Sequence, residues 1–135
     1  MVVVVATASP GGPEALQVRE GEGLPAPGEG EVLIGVAAAG VNRGDTVQWQ
    51  GRYPPPAGAS PYPGLECSGT IVALGAALGR RYQVCALLTG GGYAEKVVVP
   101  AGQLLPVTEG ASLTDSPRWP PPSGPPFSCQ SPLPR

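Results

Sequence analysis

The hydrophobic residues of this chain fall into short runs that predict β-strands. Val2–Ala6 is a continuous apolar run that fits a buried first strand, and Leu16–Glu20 alternates apolar with polar side chains, the period of a half-buried strand. Glu31–Ala39 is longer and rich in aliphatic residues. Four later runs also fit strands: Ser68–Leu74, Gln83–Leu88, Tyr93–Val99 and Gln103–Val107. Six or seven short strands predict a mostly β fold, a small barrel or sandwich.

One segment between these runs favours a helix. Asn42–Gln50 can form one or two helical turns, because Asn42 is a suitable N-cap and Gly51 a suitable stop. The next segment, Tyr53–Pro63, holds five prolines and is therefore predicted to be an extended loop.

The end of the chain has a different character. Pro117–Pro134 contains eight prolines in eighteen residues and almost no aliphatic side chains. Such a segment cannot bury enough apolar surface to offset the entropy of ordering it. We therefore predict a folded domain over residues 1–114 and a disordered Pro-rich tail over residues 115–135.

The amino-acid composition argues against several classes of function. The chain has no histidine, so the commonest metal ligand and the commonest general base are missing, and most hydrolase mechanisms with them. Its three cysteines are widely spaced, which argues against a disulfide framework or a zinc knuckle and favours a reduced, cytosolic setting. A net charge of −2 and the lack of a long apolar span make nucleic-acid and membrane partners improbable.

Two glycine-rich segments offer candidate ligand sites. Gly21–Ala26 spells G-x-G-x-x-A, but Pro25 and Pro27 remove amides and no helical pattern follows, so a phosphate-binding turn is rejected. Gly90–Gly92 could let the backbone approach a ligand, although a turn with positive φ explains three glycines between strands better.

Several stretches, in this order over about 110 residues, together resemble a known family. They are Gly11–Glu14, Pro27–Ile34, Gly40–Asp45, Gly51–Ser60, Gly64–Glu66 and Gly90–Glu95. The sequence is similar to the GroES-like N-terminal domain of the zinc-free quinone oxidoreductases, in the medium-chain dehydrogenase/reductase superfamily. The resemblance implies a partly open β-barrel with one or two short helices.

The resemblance also implies an activity and site residues. Family members are cytosolic reductases that transfer hydride from NADPH to quinones without zinc. Asn42 matches the asparagine that lies beside the nicotinamide, and Tyr53 matches the tyrosine that borders the substrate pocket. Asp45 and Gln48 follow on the same predicted helix, where support is expected rather than chemistry; a capping carboxylate and a solvated amide are the simpler interpretation.

An apolar residue stands at the position where zinc-dependent relatives have a metal-binding histidine. Zinc-dependent relatives carry a G-H-E triplet whose histidine binds the metal, and here Leu65 stands in place of that histidine. Glu66, the third member, could serve only as an acceptor for loop amides. With no histidine and no clustered cysteines, we expect no catalytic zinc.

Other positions depart from the family pattern. Trp49 replaces a residue that is commonly arginine, which could alter the cofactor-facing edge, and Ala76–Arg80 is shorter than expected. After Thr114 the resemblance stops, so we expect a truncation before the nucleotide-binding domain, an inactive chain and no tight binding of NADPH. The alternatives are a non-catalytic isoform that acts as a binding or dimerisation module, for instance in a homo-oligomer, and an unstable fragment.

Overall fold

The computed structural model describes residues 3–20, 23, 26–75, 82–107, 112–114 and 131–132, which form mainly strands. In chain order the elements are β1 (Val3–Thr7), β2 (Leu16–Glu20), β3 (Glu31–Ala39), α1 (Arg43–Trp49), β4 (Glu66–Leu74), β5 (Gln83–Leu87), β6 (Lys96–Pro100), β7 (Leu104–Pro106) and β8 (Ser131–Pro132). Single 3-10 turns lie at Pro13–Ala15 and Ala101–Gln103.

The strands form one hairpin and one larger open sheet, all antiparallel. β1 pairs with β2, while the larger sheet has the order β6-β3-β4-β5-β7, with β8 also on β3. Ile34 at the centre of β3 lies opposite Ile71 of β4 and Val97 of β6. The buried core around it consists of Val32, Ile34, Cys67, Ile71, Val84, Ala86, Leu88, Val97 and Val99. This arrangement is a partial GroES-like barrel, as the resemblance predicted.

The predicted helix is confirmed, with Asn42 as its N-cap and Gly51 at φ +74° just beyond its end. Most strands also lie where the hydrophobic pattern put them. β4 begins two residues earlier than predicted, at Glu66, and β6 begins at Lys96 rather than at Tyr93. Tyr93 is not part of β6, because its N–H donates a hydrogen bond to the Pro63 carbonyl at 3.1 Å rather than to a neighbouring strand.

Gly90 and Gly91 have the predicted positive φ, but Gly92 does not, and the segment does not join paired strands. β5 pairs with β4 and β7, whereas β6 pairs with β3. The glycines instead lie against the proline-rich loop: the Gly91 N–H donates to the Tyr62 carbonyl at 2.8 Å, and the Gly92 N–H to the Gly64 carbonyl at 3.0 Å. Side chains would hold these two backbones apart, so the glycines are needed for close approach.

The predicted tail at 115–135 lies almost wholly outside the described residues, as do Ala76–Arg80 and most of Gly21–Ala26. Within the tail, Ser131–Pro132 pairs with Ala38 and Ala39 of β3.

Gly64 provides a test of the loop contact. It has φ +108°, and an added Cβ would meet the Tyr93 nitrogen and Gly92. We expect Gly64→Ala to lower the free energy of unfolding by about 3 kcal/mol or more, since backbone strain and overlap add. Urea denaturation measures this effect. Gly102→Ala is the control, because nothing lies within 4 Å of its added Cβ; equal losses in the two variants would contradict the interpretation.

Candidate functional site

A buried carboxylate organises the start of helix α1. Asp45 is fully buried and accepts three hydrogen bonds. Its Oδ2 accepts the Asn42 N–H at 2.8 Å and the Tyr93 hydroxyl at 3.2 Å, while its Oδ1 accepts the Gly64 N–H at 3.0 Å. A carboxylate removed from water needs such donors. Asp45 therefore joins the helix, the proline-rich loop and the segment before β6.

Tyr93 is the neutral partner in this network. Only 6% of its surface is exposed. Burial raises the pKa of the Tyr93 phenol far above its usual value, and the Asp45 charge, the hydrogen bond to Asp45 and the Glu66 charge act in the same direction. The phenol therefore remains a donor to Asp45 at any ordinary pH.

A second buried carboxylate fixes the side chain of Asn42. Glu66 is 3% exposed, and its Oε1 accepts the Asn42 Nδ2 at 3.1 Å. Because a carboxylate only accepts, the amide group of Asn42 must turn its NH₂ toward Glu66. Asn42 is thus held through its backbone N–H by Asp45 and through its NH₂ group by Glu66, while its amide oxygen faces the Asp45 backbone N–H in a capping box.

An open cleft of about 590 Å³ lies beside α1. Its volume falls within the range of small-molecule sites. The lining residues are Arg43, Gly44, Val47, Gln48, Tyr53, Pro56, Leu65, Leu88 and Thr89. Tyr53 is half exposed, at 51%. Gly44 lets the helix pass close to the opposite wall, because an added Cβ would come within 2.8 Å of Leu65.

The structure brings together most of the residues singled out in the sequence. Tyr53 and Gln48 line the cleft, and Asn42 directly precedes its lining residues Arg43 and Gly44. Asp45 does cap the helix, as predicted, but it also carries the wider network described above. Gln48 is a wall residue rather than a fully solvated amide.

Trp49 lies in the core beside α1. It is 7% exposed, packs with Ala39 and Tyr93, and is not among the residues that line the cleft; its effect on a cofactor-facing edge stays a prediction. Sequence reasoning missed Arg43 and Leu88 in the wall and Tyr93 in the network. The helical spacing of Gly44, Val47 and Gln48 could have indicated the wall, but nothing local indicated that Tyr93 contacts Asp45.

The described part of the chain offers neither a metal cluster nor a membrane-spanning helix. No group of three or more cysteine or acidic side chains comes together there as a metal site. Its one α-helix, seven residues long, is too short to cross a membrane.

Comparison with known proteins identifies the family. Residues 28–109 match the alcohol dehydrogenase GroES-like domain family, and the chain belongs to it. Its relatives are oxidoreductases of the medium-chain dehydrogenase/reductase superfamily.

Two curated relatives illustrate the similarity. Prostaglandin reductase-3 of Mus musculus is 35% identical over 108 residues, which cover 78% of this chain and 29% of that protein. Quinone oxidoreductase of Lama guanicoe is 42% identical over 65 residues, or 48% of this chain and 20% of that protein. The chain thus spans less than a third of the length of these relatives.

Solved structures agree with the fold. The human synaptic vesicle membrane protein VAT-1 homolog-like protein superposes with a TM-score of 0.75 at 29% identity, over 90% of this chain and 40% of that one. The quinone oxidoreductase of Thermus thermophilus, whose NADPH complex is known, superposes with a TM-score of 0.64 at 32% identity, over 88% of this chain and 37% of that one.

Asp45→Asn tests the buried network. The amide NH₂ replaces one accepting oxygen, so at least one buried donor loses its partner. We expect the free energy of unfolding to fall by about 2 to 4 kcal/mol, measured by urea denaturation at neutral pH. Exposed Glu29→Gln is the matched control and should change it by less than about 0.5 kcal/mol. A change that small for Asp45→Asn would show that the network does not stabilise the fold.

The raised pKa of Tyr93 predicts a loss of stability at alkaline pH. Above about pH 10 the phenol ionises in the unfolded chain but stays protonated in the folded one, so unfolding becomes more favourable as pH rises. The free energy of unfolding should fall by up to about 1.4 kcal/mol per pH unit from this group.

Urea denaturation between pH 8 and pH 11 measures the alkaline slope. Tyr93→Phe should flatten it, whereas Tyr82→Phe, at an exposed tyrosine, should keep the parent slope. An unchanged slope in Tyr93→Phe would contradict the assignment.

Proposed function

We propose that this chain supplies the acceptor-binding half of an NADPH-dependent quinone oxidoreductase that works without zinc. The observation that carries the proposal is the cleft beside α1, with Tyr53 in its wall and the doubly held Asn42 at the helix start. Membership of the GroES-like family and similarity to quinone oxidoreductases support it.

The site residues have separate roles in this proposal. Tyr53 lines the cleft, and its hydroxyl donates a hydrogen bond to a quinone oxygen. This hydrogen bond orients the quinone ring. The amide oxygen of Asn42, which faces the Asp45 N–H, has a second lone pair and would accept a hydrogen bond from the nicotinamide of NADPH. NADPH, when bound, supplies the hydride; the quinone takes up that hydride and one proton from solvent and leaves as hydroquinone. Positioning of donor and acceptor is the main catalytic resource of such a reaction.

The donor set of the chain supports zinc independence. Histidine is absent from the sequence, and Leu65 contributes an apolar side chain to the cleft at the position of the metal-binding histidine of zinc-dependent relatives. Cys67 and Cys85 are thiols buried within β4 and β5. A quinone is itself electrophilic, so its reduction needs no Lewis acid.

The described residues contain no strand, glycine turn and helix arranged to hold a pyrophosphate. We therefore propose that a separate nucleotide-binding domain must hold NADPH, and that the 135-residue chain alone is inactive. A cytosolic setting forms part of the same proposal.

Kinetics with a chimaera tests the proposal. The chain alone should not oxidise NADPH with 1,2-naphthoquinone above the uncatalysed rate. Fusion to the nucleotide-binding domain of the Lama guanicoe enzyme should give turnover, and Tyr53→Phe or Asn42→Ala in the chimaera should lower kcat/KM by about tenfold or more, because each removes a positioning contact.

Tyr82→Phe is the control, since this exposed tyrosine lies outside the cleft lining. Unchanged turnover in both site variants would show that these residues do not form the site. Saturable turnover by the chain alone would overturn the need for a second domain. A folded chimaera without activity would favour the non-catalytic binding module instead.

A further inference from the structure

Arg43 occupies a position that helix stability does not explain. It is the first residue of α1, where the helix dipole disfavours a positive charge. Its side chain is exposed and lines the cleft. The backbone carbonyl of Arg43 accepts a hydrogen bond from the Thr46 hydroxyl at 2.7 Å. Within the described part of the chain, no carboxylate forms an ion pair with its guanidinium.

The described lining of the cleft has no charge to balance Arg43. Among the lining residues that the structure describes, Arg43 is the only one that carries a formal charge. Val47, Leu65 and Leu88 supply an apolar surface against which a flat ring can pack, and Gln48 and Thr89 are neutral. The cleft therefore combines an apolar wall with one cationic group.

We propose that the preferred acceptors of this cleft are quinones that carry an anionic substituent, a carboxylate or sulfonate, and that Arg43 binds this substituent. The inference rests on the proposed function, because it names the substrate class of the same cleft. A guanidinium matches the two oxygens of such a group with parallel hydrogen bonds. An exposed contact of this kind supplies a modest preference, about twofold to fivefold in affinity.

Direct binding to the 135-residue chain tests this preference without any cofactor. The probes are anthraquinone-2-sulfonate and its neutral counterpart 2-(hydroxymethyl)anthraquinone, whose fused rings leave no open position for addition of a thiol. Isothermal titration at low salt should give a dissociation constant about twofold to fivefold lower for the sulfonate. Arg43→Gln should remove that difference without changing the affinity for the neutral probe. In the parent chain, raising the salt concentration should reduce the difference between the two probes.

Arg52→Gln is the matched control, because this exposed arginine follows the same helix but does not line the cleft. It should keep the preference for the sulfonate. Arg43→Gln should also melt at or above the temperature of the parent, since it removes a cation from a helix N-terminus. A clear loss of melting temperature would assign Arg43 a structural role and overturn the inference.

The remaining outcomes separate the inference from the proposed function. Equal affinity for both probes, unaffected by Arg43→Gln, would overturn the anionic preference and leave quinone binding intact. Absence of binding by either probe would overturn both. The phosphates of NADPH are the other source of anionic groups. A loss of NADPH affinity in the Arg43→Gln chimaera, with the sulfonate preference retained, would assign Arg43 to the cofactor and overturn the inference.

Discussion

The arrangement of the site depends on the burial of Asp45. A fully buried carboxylate is unfavourable unless donors surround it, and two of the three donors to Asp45, Gly64 and Tyr93, lie 19 and 48 residues away in sequence. Satisfying Asp45 therefore fixes Gly64 and the segment before β6 relative to α1. Residues of α1 and Leu65, the neighbour of Gly64, line the cleft, so its shape depends on the same requirement.

The two buried carboxylates have different consequences. Asp45 determines where the helix begins, whereas Glu66 determines how the side chain at that point is turned. The second effect matters chemically, because an asparagine amide presents either a donor or an acceptor to a ligand. With Glu66 opposite its NH₂ group, Asn42 can offer a ligand only its amide oxygen, which also faces the Asp45 backbone N–H.

The sequence predicted the fold better than the site. The helix and most strands followed from local patterns, namely aliphatic runs, an N-cap asparagine and a glycine stop. The ends of β4 and β6 were less certain, because they depend on pairing across the sheet: Tyr93 looks like a strand residue, yet its N–H donates to Pro63. Asn42 and Tyr53 were predicted as site residues only through resemblance, since no spacing rule connects a helix cap with a tyrosine in a loop. The link between Asp45 and Tyr93 spans 48 residues, beyond the reach of any local pattern.

The close contact between the two glycine-bearing loops has a consequence for how this cleft can change during evolution. Gly64 precedes Leu65 in one wall, and Gly90 follows Thr89 in another, so insertions or bulky replacements beside these wall residues would separate backbones joined by hydrogen bonds. The helix face carries no such restriction at Val47 and Gln48, whose side chains can be exchanged without moving a backbone. Changes in what the cleft can bind are therefore more accessible through substitutions on one face of α1 than through remodelling of the loops.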